Sequence, residues 1–276
     1  MKRPINICSG QFGDLTLEEL CKTMHEIGYN GIEIATQAHL DVRRVLTDAA
    51  YRDQIDETLN KYDMHIGAIS AHLIGQCVGD NWDPRLDNFA PAHCKGNPEA
   101  IRAWAIEEMK NVAYAAKLLN VKVVTCFLGS PIWAMWYSFP QTTPEMVEAG
   151  FQKIKELWTP IFDVYDECGV KLALEVHPTE IAFDYWSTKR LMDELNHEIV
   201  LMATHLFDCP WIPKTKTSLA SARRQARSQR RNIARRAARK KHIRGILMAH
   251  DVIPEDATAE WFSVRKGDQD NIQLRV

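Results

Sequence analysis

The 276-residue chain lacks most of the short signatures that announce a chemistry. Its seven cysteines (8, 21, 77, 94, 126, 168 and 209) include no C-x-x-C pair, which argues against a zinc ribbon or a dithiol redox centre. There is no G-x-G-x-x-G, no P-loop and no G-x-S-x-G, so dinucleotide binding, phosphoryl transfer and a serine-hydrolase elbow have no support. No run approaches the roughly 20 apolar residues that span a bilayer, and no membrane association is expected. The opening stretch MKRPINICSGQFGDL has neither a long apolar run nor a cleavage-site pattern, so no signal peptide is expected. An odd, scattered set of cysteines, some inside apolar runs, predicts free thiols in a reducing compartment, read here as the cytoplasm. Acid is missing from one region altogether. Residues 209–250 hold 13 Lys and Arg and no Asp or Glu, whereas residues 1–208 hold 18 Lys and Arg against 30 Asp and Glu.

What is present is a repeat of short β-branched or apolar runs, each followed by a loop and an amphipathic stretch. Strands are predicted over 5–10, 31–36, 64–70, 121–129, 170–176 and 199–204, and helices over 16–27, 48–62, 98–119, 144–168 and 185–196. Thr16 and Asp48 suit helix N-caps, and Pro98 and Pro144 suit first helical turns. Such alternation predicts an α/β fold with parallel strands and right-handed crossovers. The links from helix to strand are short, while two links from strand to helix, 71–97 and 130–143, are long and rich in His, Trp, Pro and Asn. Long loops confined to the C-terminal ends of strands mark the working face of a (β/α) barrel or a doubly wound sheet.

The richest stretch for chemistry is KLALEVHPTEIAFDY (171–185). Glu175 ends the fifth predicted strand, and period-two alternation puts His177 on the same side. A carboxylate pointing into a barrel mouth must meet a cation, a base or a ligand. Glu33 and His72 hold matching places on the second and third strands, so carboxylates and imidazoles converge from three strands on one mouth. The Gly129–Ser130 turn presents backbone N–H groups that either hold an oxyanion or phosphate or form a bare turn.

After residue 208 the alternation fails. Residues 214–244 place 13 cations in 31 positions on an Ala- and Arg-rich, helix-permissive segment with almost no apolar face. That segment is expected to make weak, non-specific, salt-dependent contact with nucleic acid through phosphates. Two regions follow: a barrel body over 1–208 and an atypical basic tail over 209–276.

The segments MKRPINICSGQFGDLTLEEL, IGYNGIEIAT, ISAHLIGQ, EEMKNVAYAAKLLNVKVVTCFLGSPIW and LALEVHPTEIAFDY occur in the order and spacing of a known family. Over about residues 1–197 the chain resembles the sugar phosphate isomerase/epimerase family of xylose isomerase-like TIM barrels. The resemblance implies a TIM-barrel body and a metal-dependent isomerase or epimerase of a sugar or sugar phosphate, acting by proton transfer next to a carbonyl. It implies a divalent metal, Mn²⁺ or Mg²⁺, held at the strand ends by carboxylate and imidazole. Glu175 matches the strand-five metal carboxylate and, with Glu33, is a candidate acid–base. His72, Trp133 and His177 match positions near the sugar. The family continues with Asp-Pro-Ser-His on strand six, where this chain reads IVLMATHLFDCPW, with Met202 in place of the Asp. His205 and Asp208 are the remaining candidate ligands there, and His250 and Glu260 stand where strands seven and eight would contribute. A barrel altered after its sixth strand leaves sheet edges that can pair with another copy, which predicts a homo-oligomer. The alternative reading is a catalytically impaired barrel remnant whose tail binds polyanions.

Overall fold

The computed structural model describes residues 5–135, 140–195, 197, 199–202, 262–264 and 272–274. The chain divides into two compact units, 1–206 and 207–276. In the first, six strands form one all-parallel sheet in chain order: β1 (Asn6–Cys8), β2 (Gly31–Ala35), β3 (His65–Ser70), β4 (Val123–Cys126), β5 (Lys171–Glu175) and β6 (Ile199–Met202). The helices between them are α1 (Leu17–Ile27), α2 (Val42–Thr47), α3 (Ala49–Lys61), α4 (His72–Gly79), α5 (Pro98–Leu118), α6 (Pro144–Cys168) and α7 (Tyr185–Leu195). In the second unit the described residues are a separate antiparallel pair, β7 (Phe262–Val264) with β8 (Ile272–Leu274). Glu260, which the sequence places where an eighth strand would contribute, lies outside the described residues.

Helix starts follow their capping chemistry. Thr16 and Glu19 close a reciprocal capping box on α1, and the Asp48 carboxylate accepts the Tyr51 N–H to start α3. Proline opens α5 and α6. Apolar side chains of strands and helices then close a common core. Leu20, Ile32, Ile34, Ile69, Val124, Leu172, Phe151 and Trp158 are essentially inaccessible. Trp158 also donates its buried indole N–H to the Leu128 carbonyl at 3.0 Å, tying α6 to the end of β4.

The stretch 71–97, expected as a loop, begins with α4, and this helix decides the shape of the mouth. It lies backbone-to-backbone on the segment after β4. A Cβ built on Gly79 would stand 2.2 Å from the Leu128 carbonyl oxygen, nearer than any real contact. The last carbonyls of α4 are capped from α5. Arg102 donates its Nε–H to the Val78 carbonyl (3.1 Å) and its Nη2–H to that of Asp80 (2.7 Å). Gly79→Ala is therefore expected to destabilise the fold by about 1–3 kcal/mol through backbone displacement. A lower urea midpoint with an unchanged slope would register it.

Candidate active site

The parallel register sets polar residues side by side near the strand ends. Ser70 pairs with Thr125, Cys8 with Glu33, and Glu175 closes β5. Their side chains meet within the first unit. The Thr125 hydroxyl donates to Glu33 Oε1 at 2.8 Å, reaching across β3 from β4 to β2. The Cys8 thiol is pushed up to about 11, first by burial and then by the nearby charge of Glu33, with Glu175 adding a smaller push. Cys8 thus reports that both carboxylates share its surroundings.

Glu175 is only 6% exposed. Its Oε2 lies 2.8 Å from His72 Nε2, although the ring nitrogen is not aligned for a hydrogen bond. The other ring nitrogen, Nδ1, is 2.7 Å from the Ser70 hydroxyl. His72 is therefore held between β3 and β5. It is not a strand residue, as the sequence suggested, but the first residue of α4. The Phe127 ring stands against both histidines, with centroids 4.7 Å from His72 and 5.3 Å from His177.

His177 does not continue the alternation of β5. The strand ends at Glu175, and the chain turns so that the His177 N–H donates to the Ala182 carbonyl. Its Nδ1 is 3.4 Å from the Thr179 hydroxyl. Glu175 and His177 are accordingly separated by the end of the strand, and Phe127 lies between the two imidazoles. Trp133 opens a short 3₁₀ turn, Trp133–Met135, with the Arg85 guanidinium 5.6 Å above its ring.

The Gly129–Ser130 turn neither waits for an external anion nor stands bare, because its N–H groups are already taken. Gly129 donates to Glu180 Oε2 at 2.6 Å and Ser130 donates to Asp80 Oδ1 at 2.7 Å. Gln76 donates to the second oxygen of Asp80 at 2.7 Å. Burial raises the Asp80 carboxyl to about 6, against the pull of the Ser130 N–H, Gln76 and Trp133. Burial, with the Asp80 charge second, raises Glu180 to about 8. Neither residue stood out in the sequence. The usable hint was Glu180 itself, an acid five positions after Glu175 and directly before the apolar run Ile181–Phe183.

Among the described residues, no group of three or more His, Cys, Asp or Glu is arranged to hold a metal ion. Glu175 and His72 offer one carboxylate and one imidazole, part of a ligand set in which water and substrate can fill further positions. His205 and Asp208, the other expected ligands, lie outside the described residues, as do His250, Glu260 and the basic segment 214–244. Six cysteines (8, 21, 77, 94, 126 and 168) are free thiols. Among the described residues no helix is long and apolar enough to cross a membrane.

Comparison with curated protein sequences returned no match. Among solved structures, the 3-keto-D-glucoside 4-epimerase YcjR from E. coli, in its apo form, superposes with a TM-score of 0.54 at 14% identity, covering 82% of this chain and 76% of that one. The probable 3-DHS dehydratase AsbF, involved in petrobactin synthesis in Bacillus anthracis, gives 0.50 at 16% identity, over 72% of this chain and 62% of that one. The chain thus spans less than two thirds of the length of AsbF. A xylose isomerase-like TIM barrel protein from Mycobacterium smegmatis, in complex with magnesium, gives 0.47 at 12% identity, over 72% and 64% of the two chains. The sequence profile described as xylose isomerase-like TIM barrel matches residues 21–247, well past residue 197, where the recognisable segments end. With its six parallel strands in chain order and that match over most of its length, the chain belongs to the xylose isomerase-like TIM barrel family.

Proposed function

We propose that this protein is an isomerase or epimerase of a sugar or sugar phosphate, working by proton transfer beside a carbonyl. The observation that carries the reading is the buried Glu175 in contact with His72, with Glu33 in the same polar layer. Two carboxylates from different strands suit a reaction that removes a proton from a carbon acid and returns it elsewhere. In this reading Glu175 and Glu33 exchange the proton. His72, steadied through Ser70 and set against Glu175, is a substrate-binding residue on the polar side of the mouth. Phe127 and Trp133 give the apolar surface against which a sugar face rests, and His177 closes the rim. The name of YcjR fits the same chemistry, since carbon 4 of a 3-keto sugar adjoins the carbonyl.

A divalent cation, Mn²⁺ or Mg²⁺, is part of the proposal, with Glu175, His205 and Asp208 as its ligands. When bound it would polarise the carbonyl. The described residues do not complete that set, so the proton steps above are assigned to side chains alone. Free thiols suit a reducing compartment, and we place the protein in the cytoplasm.

Incubation in D₂O with a panel of ketoses, keto-glycosides and their phosphates should yield product carrying deuterium at the carbon beside the carbonyl, visible by NMR. Glu175→Gln and Glu33→Gln should each lower turnover by about 10²–10⁴-fold with an unchanged circular dichroism spectrum. Undiminished turnover in Glu175→Gln removes the proposed acid–base pair. For the cation, calorimetric titration of the full chain with Mn²⁺ should show one site weakened at least about tenfold in Glu175→Ala. Binding that survives this change takes Glu175 out of the ligand set.

A further inference from the structure

The two buried carboxylates beside the mouth have a role that the proposed proton transfer does not use. Asp80 caps the C-terminal end of α4, and Glu180 lies in the segment after β5. They grip adjacent backbone N–H groups of one turn, Gly129 and Ser130, after β4. The Gly129 carbonyl in turn accepts the Ile181 N–H at 3.3 Å. Three elements meet at this turn, and Gly129 can make it only because it adopts a positive φ of 75°. Asp80 and Glu180 are 7% and 1% exposed, and among the described residues Oε1 of Glu180 has no hydrogen-bond partner.

The charges facing this turn are nearly all of one sign. Glu180 faces Asp80 and Gln76 from α4, Cys126 from β4 and Glu175 from β5. Asp80 faces Cys77, Asp83 and the Trp133 indole, with Arg85 farther out. The Arg85 guanidinium is engaged by Asp83, and Arg102 is spent on backbone carbonyls. Among the described residues, no Lys, Arg or His forms a salt bridge with either carboxylate. Two such groups cannot both be ionised in a dry site without a large cost.

We propose that Asp80 and Glu180 form a one-proton clasp that pins the segments after β4 and β5 to α4, closed while the proton is held and loosened when it is lost. The clasp makes the shape of the mouth depend on pH, because Trp133 and His177 stand on the two segments it joins. The proton sits mainly on Glu180, whose Oε2 still accepts from Gly129 in the acid form, while Asp80 remains the ionised partner of Ser130 and Gln76.

The sign of the pH effect follows from linkage. The folded protein holds a proton that the unfolded chain, with ordinary carboxylates near 4, gives up. Stability contributed by that proton is full below the unfolded value and is lost as pH rises towards the folded value of about 8. Between roughly pH 6 and 8 the unfolding equilibrium constant should rise about tenfold per pH unit from this source. Glu180→Gln keeps an oxygen for the Gly129 N–H and has no proton to lose, so its unfolding should release about one proton fewer. Asp80→Asn should retain most of the slope, because burial is the main cause at Glu180. Infrared spectra of wild-type protein carrying ¹³C-labelled glutamate should show a protonated carboxyl at pH 7 that disappears by about pH 10. Amide exchange over residues 127–132 should lose protection across the same range in wild type, and not in Glu180→Gln. Glutamates all ionised at pH 7 in the wild-type spectrum, or a pH slope unchanged in Glu180→Gln, would overturn the clasp. The infrared reading needs neither substrate nor a folded variant, so its outcome is separate from that of the sugar-enzyme proposal.

Discussion

The structure depends first on a carboxylate that the sheet refuses to leave in water. Glu175 closes β5 at a level where the strand is covered on both sides, and burial there demands a counterpart. His72 supplies it at 2.8 Å, from a different element, and only because α4 starts immediately after β3. That start is possible because the helix can lie on the backbone after β4, where Gly79 leaves no side chain in the way. The contact, the helix and the glycine form one dependency. Displacing α4 would separate Glu175 from its imidazole and open the mouth at the same time.

The same helix brings a second pair of acids into a dry place. Successive N–H groups in a turn make a concavity that attracts negative charge. In many proteins such a turn receives a ligand. Here the chain fills it with Asp80 and Glu180. The turn therefore serves as a fastening for the mouth, and the acids that fasten it differ in kind from those that line it. Glu175 and Glu33 have a histidine and a hydroxyl as neighbours, whereas Glu180 has Asp80. The family's fold explains why these groups gather at the strand ends. It does not by itself dictate which of them carries a proton.

Much of this fold was legible in the sequence, because the apolar runs and caps were strong. The strand over 31–36 appears as Gly31–Ala35, and the helix over 144–168 appears with those bounds. Thr16 and Asp48 cap as their chemistry suggested. The failures share a cause. Residues 72–79, HLIGQCVG, contain two glycines and few strong helix formers, so local propensity hides α4. Tertiary contact with the β4 turn, which sequence periodicity cannot report, is what makes those glycines useful. For the same reason the alternation from Glu175 to His177 misleads, since a strand's period ends where its ladder ends. The partners of Gly129 and Ser130 lie about fifty positions away on either side, at Asp80 and Glu180. No local pattern could have paired them.

The order of the strands has a consequence for how the body is made. Each strand of the parallel sheet neighbours only its predecessor and its successor in the chain. The sheet can therefore be laid down one βα unit at a time as synthesis proceeds, each new strand docking on an edge that already exists. His72 emerges about a hundred residues before Glu175. During that interval the first residue of α4 carries an imidazole without its acid, which arrives only when β5 docks beside β4.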